Sequence, residues 1–86
     1  MRAYNFLNLV LMTDQEFQIA LGKSIAAARK KRGKSQLDLC SEIGMEKPNL
    51  SAIENGKKNI ASTTLRKLAD GLKCEIAEFF EFYSKE

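Results

Sequence analysis

The stretch QLDLCSEIGMEKPNLSAIENG, Gln36 to Gly56, decides the fold. Ser35, just before it, can cap a helix, with Asp38 three residues on to answer the cap. A helix is therefore predicted over about Gln36 to Ile43, burying Leu37 or Leu39 together with Cys40 and Ile43. Gly44 ends it, because glycine enters the left-handed region without a Cβ clash. Glu46 is expected to cap a second helix, and Pro48 fits its first turn, where a missing N–H costs nothing. That helix spans about Lys47 to Asn55 and stops at Gly56. Leu50 and Ile53, six and nine residues past Gly44, present an apolar face at the i, i+3 spacing. Cys40, four residues before Gly44, keeps the corner small. Two short helices thus meet at a tight turn, and the second faces outward with Lys47, Asn49, Ser51 and Ala52.

Upstream, Thr13-Asp14-Gln15-Glu16 reads as a capping box. Phe17, Leu21, Ile25 and Ala28 then recur every three or four residues, the period of one helix face. A helix is predicted from about Asp14 to Lys31, with a stop at Gly33 and basic residues suiting the negative end of its dipole. Its end, ARKKRGKS (Ala28 to Ser35), also loosely fits a phosphate-binding loop. Such a loop follows a strand and is rich in glycine. Here the preceding residues read as helix and the loop would be Arg-Lys-Lys-Arg, so the fit is rejected. Downstream, Lys57-Lys58-Asn59 is a polar loop. A fourth helix starts near Ala61 or Ser62 and runs to about Gly71, with Leu65, Leu68, Ala69 and Leu72 inward. A fifth starts near Glu75 and carries Ile76, Phe79 and Phe80. Phe79 is expected in the core, and some of Phe80, Phe82 and Tyr83 at a dimer surface.

Residues 1–12 form an apolar, strand-like extension, read as a packing or dimer segment from Tyr4 to Met12. It is too short to span a bilayer and lacks the cleavage site of a signal peptide. The expectation is one all-α domain of five short helices over residues 13–86.

Composition bounds the function. Eighty-six residues allow one domain, and a hydrophobic share of 44% suits a globular one. The net charge is +3, unevenly spread: residues 1–34 carry seven Lys/Arg against two acids, residues 59–86 four against five. A positive face opposite a neutral or acidic one fits an anionic polymer as partner. There is no histidine, and the two cysteines cannot by themselves make a zinc site, which takes about four ligands. No catalytic constellation is present. No enzyme activity, metal, cofactor, small-molecule ligand or membrane association is expected. Cys40 and Cys74 lie in apolar company and are read as buried reduced thiols, which points to the cytoplasm.

The corner between Gln36 and Gly56 meets the demands of a DNA-binding helix-turn-helix. Residues 21–80, about two-thirds of the chain, resemble the phage-repressor and Cro-type helix-turn-helix family. The specific pieces are Arg29, Ser35-Gln36, Gly44, Ile53-Glu54-Asn55-Gly56, Leu65, Leu68-Ala69 and Leu72. The resemblance implies a compact five-helix, lambda-repressor-like DNA-binding domain. It implies that Gln36 hydrogen-bonds a DNA phosphate, helped by a helix N-terminus. It places Lys47, Pro48, Asn49 and Ala52 at base edges. Lys47 can donate to guanine, Asn49 can pair with adenine or a phosphate, and Pro48 and Ala52 can offer apolar contact to a thymine methyl. Ser51, Asn55, Lys57 and Lys58 fall near phosphates. Arg29 and Glu54 match an ion pair that ties the first helix to the recognition helix. Lys30, Lys31 and Arg32 are read as lying off the DNA face. The chain departs from the family pattern at Lys34, where an apolar residue is common, and at Ile60, where a proline is common. Lys34 can add a phosphate contact. Ala52 removes a common long reader, so DNA shape and water carry more of the specificity.

The function expected is sequence-specific binding of double-stranded DNA as a small transcriptional regulator of repressor type. A recognition helix over about residues 47–55 would enter the major groove, and a homodimer would sit on a two-fold operator. Size and build also resemble restriction-modification controllers, prophage or mobile-element regulators and antitoxins. The alternative is a helix-turn-helix-fold interaction module or antitoxin whose main partner is a protein.

Overall fold

In the structure, a computed structural model that describes residues 6–83, Thr13 and Glu16 close the expected capping box. The Glu16 amide donates to Thr13 Oγ1 at 3.1 Å and the Thr13 amide to Glu16 Oε1 at 2.9 Å. Ser35 and Asp38 do the same, at 2.9 and 3.1 Å. Each box satisfies two amides that a helix start leaves without partners. The elements run α1 (Phe6–Leu11), α2 (Asp14–Lys31), α3 (Gln36–Ile43), α4 (Lys47–Glu54), α5 (Ser62–Leu72) and a C-terminal 3-10 helix (Ile76–Tyr83). No strand occurs among the described residues.

α2 is the spine. It packs on the 3-10 helix along one flank and on α4 along the other, while α3 packs on α4 and α5. Leu21 and Ile25 of α2, Leu39 of α3, Leu50 and Ile53 of α4, Leu68 and Leu72 of α5 and Phe79 and Phe82 meet in one buried core. Each such side chain contributes about 1.5–3 kcal/mol by leaving water. Two glycines set the spacing. A Cβ on Gly22 would collide with the backbone carbonyls of Ile53 and Glu54, the latter at 2.8 Å, so only glycine lets α2 approach the end of α4. Gly56 has φ 72°, and its Cβ would stand 2.6 Å from Ile19 Cα, which presses the exit of α4 onto α2.

Several expectations are corrected. Residues Phe6–Leu11 are helical rather than strand-like. A short apolar run rich in leucine fits either period, and leucine favours helix. Leu7, Val10 and Leu11 are exposed on α1. Residues 1–5, including Tyr4, and residues 84–86 lie outside the described residues. The last helix is 3-10, with Phe80 off helical angles at φ −112°. Phe79 and Phe82, on either side of this kink, both enter the core, so Phe82 is core. Phe80 is half-buried and Tyr83 exposed, and Phe17 packs against Phe80, Phe82 and Tyr83 with centroids 6.3, 5.6 and 6.0 Å away. Glu46 occupies the cap of α4, but its side chain makes no cap hydrogen bond. Glutamate is a poor cap compared with shorter polar residues, and Pro48 removes one of the amides that a cap would serve. Leu39 is the buried leucine of α3, and Leu37 is exposed.

Candidate nucleic-acid interface

α4 hides Leu50 and Ile53, which leaves the rest of its surface to face outward. Lys47 and Pro48 are exposed, and Asn49, Ser51 and Ala52 are half-buried on the same helix. The turn before it passes through Gly44 at φ 69°, a left-handed residue that closes α3.

Arg29 holds α4 against α2. Its Nε donates to Glu54 Oε2 at 2.7 Å and its Nη2 to Oε1 at 3.0 Å. Its Nη1 donates to the Lys34 carbonyl at 2.7 Å, tying the pair to the turn before α3. Both side chains are only 7% exposed. The Glu54 hydrogen bonds hold the Arg29 guanidinium above its already high ordinary pKa, against the opposing effect of burial. Two parallel donations from one guanidinium to one carboxylate fix the angle between helices as well as the distance. Gln36 joins the network: its Nε2 donates to Glu54 Oε1 at 2.9 Å. An amide nitrogen has two protons, so one is engaged here and the other is left over. The expected ion pair is therefore present, and it also orients Gln36.

Around α4, Lys58 Nζ donates to Asn49 Oδ1. Asn55 Nδ2 donates to the Ser51 carbonyl at 2.8 Å. Lys57 and Lys58 are exposed in the loop after Gly56. Two clefts flank the helix. One, of about 590 Å³, lies between α4 and the start of α5 and is lined by Pro48, Asn49, Ala52, Lys58, Thr64 and Lys67. The other, of about 430 Å³, lies between α2 and the end of α4, where Lys23 and Lys30 face Gln36, Glu54 and Asn55. α4 thus has a groove with lysines on each side.

Lys23, Lys30, Thr64 and Lys67 line these clefts and were not among the residues predicted to meet DNA. Lys23 and Lys30 are seven residues apart on α2, a spacing that puts them on one face, and this was the signal available. Lys30, read as lying off the DNA face, lines the same cleft as Gln36. Arg32 does turn away, donating to Glu78 at 2.8 and 2.9 Å. Lys34 is engaged inside the protein, with Glu42 and with the Gly71 carbonyl at 3.5 Å.

Cys40 is buried and Cys74 half-buried, both free thiols. Burial, first, pushes both thiols up in pKa, and the Glu54 carboxylate adds to the effect at Cys40. Among the described residues no cluster of three or more His, Cys, Asp or Glu side chains could hold a metal ion. Also among them, no helix is long and apolar enough to cross a membrane.

A two-helix corner, its second helix clamped by a buried ion pair, and flanking lysines define a class: the helix-turn-helix DNA-binding transcriptional regulators. The chain belongs to the helix-turn-helix family, whose model matches residues 25–79. It is similar to the control protein C.MunI of a Mycoplasma species, 32% identical over 72 residues that cover 83% of this chain and 97% of that one. The restriction-modification controller protein C.AhdI from Aeromonas hydrophila superposes with a TM-score of 0.72 at 26% identity, covering 74% of this chain and 97% of its own. A helix-turn-helix family transcriptional regulator from Vibrio cholerae gives a TM-score of 0.74 at 32% identity, over 79% of this chain and 38% of that longer one.

Proposed function

We propose that the protein is a control protein of the restriction-modification kind, a regulator that binds double-stranded DNA as a homodimer with α4 in the major groove. The observation that carries this reading is the face around α4: an outward Lys47, Pro48, Asn49, Ser51 and Ala52 on a helix clamped by Arg29–Glu54 and flanked by two lysine-lined clefts. Lys47 donates to guanine, and Pro48 and Ala52 offer apolar contact to thymine methyl groups. The second amide proton of Gln36 meets a phosphate, with Ser51, Asn55, Lys57 and Lys58 on nearby backbone. Lys23, Lys30 and Lys67 extend that footprint along both strands.

One eight-residue helix reads few base pairs. Two copies on a two-fold operator, with half-sites about 34 Å apart, supply a full site. Among the described residues, the exposed large apolar side chains outside α3 and α4, Leu7, Val10 and Leu11 on α1 and Ile76 and Tyr83 on the 3-10 helix, are the surface assigned to the dimer. Free thiols fit a reducing compartment, the cytoplasm.

Selection of bound duplexes from a random pool with the purified protein tests the reading. The expected product is a two-fold sequence. Binding to it should weaken by roughly a thousandfold or more between about 50 and 200 mM salt if six or more phosphates are neutralised. Sedimentation should show a dimer. No duplex binding at low salt would overturn the DNA reading in favour of a protein-interaction module. Selection of asymmetric sites by a monomer would overturn the homodimer.

A further inference from the structure

Asn49 and Lys58 come from different elements and meet beside the cleft between α4 and α5. Asn49 is the third residue of α4, and Lys58 follows Gly56 in the loop nine residues on. The close approach of Gly56 to Ile19 holds that loop against the body of the domain. The orientation of the Asn49 amide is chemically forced. An ammonium group has three N–H donors and no acceptor, so only the carbonyl end of the amide can face Lys58. The Oδ1 atom is thereby engaged by Lys58 at the protein surface, and the NH₂ end, a donor only, remains.

An asparagine that reads adenine needs both ends: Oδ1 accepts from N6 and Nδ2 donates to N7. With Oδ1 engaged, the N6 amino group of adenine meets no acceptor. Guanine shows two acceptors in the major groove, N7 and O6, and matches a donor-only amide. We propose that Lys58 is a specificity-determining residue: by occupying Asn49 Oδ1 it converts Asn49 from an adenine reader into a guanine reader. The proposal rests on the reading above that α4 enters the major groove. The two remaining ammonium protons of Lys58 can meet a phosphate without breaking the pair.

The test uses the full chain and its Asn49→Ala, Lys58→Met and Lys57→Met variants, each taken through duplex selection and then binding to all four bases at every operator position. Asn49→Ala identifies the position that Asn49 reads. The wild type should favour guanine there. Lys58→Met should shift the adenine-to-guanine preference at that position by roughly tenfold or more toward adenine, on the scale of one bidentate contact. Lys57→Met, which removes the same charge from the same loop, should weaken all four bases alike. A wild type that already prefers adenine at the Asn49 position would overturn the assignment. So would selective binding with no position sensitive to Asn49→Ala, or a Lys58→Met variant that loses affinity with its base ranking intact. In each of those results DNA binding itself survives. Absence of duplex binding by the wild type at low salt is the separate failure of the underlying reading, and the assignment goes with it.

Discussion

Arg29 and Arg32 stand about one turn apart at the end of α2, and each grips a glutamate through two nitrogens. Arg29 reaches Glu54, 25 residues on, and Arg32 reaches Glu78, 46 residues on. The Arg29 side chain is 7% exposed and that of Arg32 24%. The chemistry is shared and the surroundings differ. A buried pair matters through what its loss leaves behind, a charge with no partner and no water. A pair in reach of water is screened and contributes little. The inner pair also carries Gln36, which the proposed function places at a DNA phosphate, whereas the outer pair fastens the 3-10 helix and its aromatic layer. One turn of α2 therefore serves two faces with two strengths of the same contact.

Four measurements can break or sharpen that contrast. The largest effect is expected for Glu54→Ala, which strands the Arg29 guanidinium and the Gln36 amide. It should lose about 3–5 kcal/mol in urea unfolding, and a loss no greater than that of Glu78→Ala would abolish the contrast. Next comes Gly22→Ala. Its Cβ would press on the carbonyls at the end of α4 and open the junction that shields the inner pair, at a cost of about 1–3 kcal/mol. A neutral result would show that α2 and α4 have slack between them. Ser35→Ala removes the cap from the helix that presents Gln36. About 1 kcal/mol should be lost in thermal unfolding, and Ser35→Gly should lose only a few tenths.

The smallest effect is expected for Glu78→Gln, read as Tm against pH. The Arg32 hydrogen bond holds the Glu78 carboxyl below its ordinary value of 4.5. A depressed carboxyl adds stability above its unfolded pKa and loses it as pH falls through the folded one. Wild type and Glu78→Gln should therefore differ most at neutral pH and converge on the acid side of 4.5, with added salt narrowing the gap. Curves that stay parallel into acid would remove the outer pair from the account.

What the sequence made legible follows the range of the interactions. The starts of α2 and α3 were readable because a capping box is complete within four residues. The inward face of α4 was readable because Leu50 and Ile53 repeat at helical spacing. The Arg29–Glu54 pair was reached through the family resemblance, since nothing local joins residues 25 positions apart. The partner of Arg32 was out of reach for the same reason, and so was the capture of Lys34 by Glu42 across the corner. Lys23, Lys30 and Lys67 come to line the clefts beside α4 only when α2 and α5 take their packing angles. At Phe6–Leu11 the local signal itself was ambiguous, as both periods fit six mostly apolar residues. In the last element the helical period breaks at Phe80, between the buried Phe79 and Phe82, so no single period marks it in the sequence.

The way α4 is held separates two kinds of information. Leu50, Ile53, Glu54 and the backbone contacts of Gly22 and Gly56 determine where the helix sits. Lys47, Pro48, Asn49 and Ala52, with Lys58 in the loop, lie outside that set and reach outward. With α4 reading DNA as proposed, anchor and address are written in different letters of the same short segment. If α4 reads DNA as proposed, a new operator can be reached by surface changes alone, without repacking the core, and an engineer can edit the address while leaving the anchor untouched.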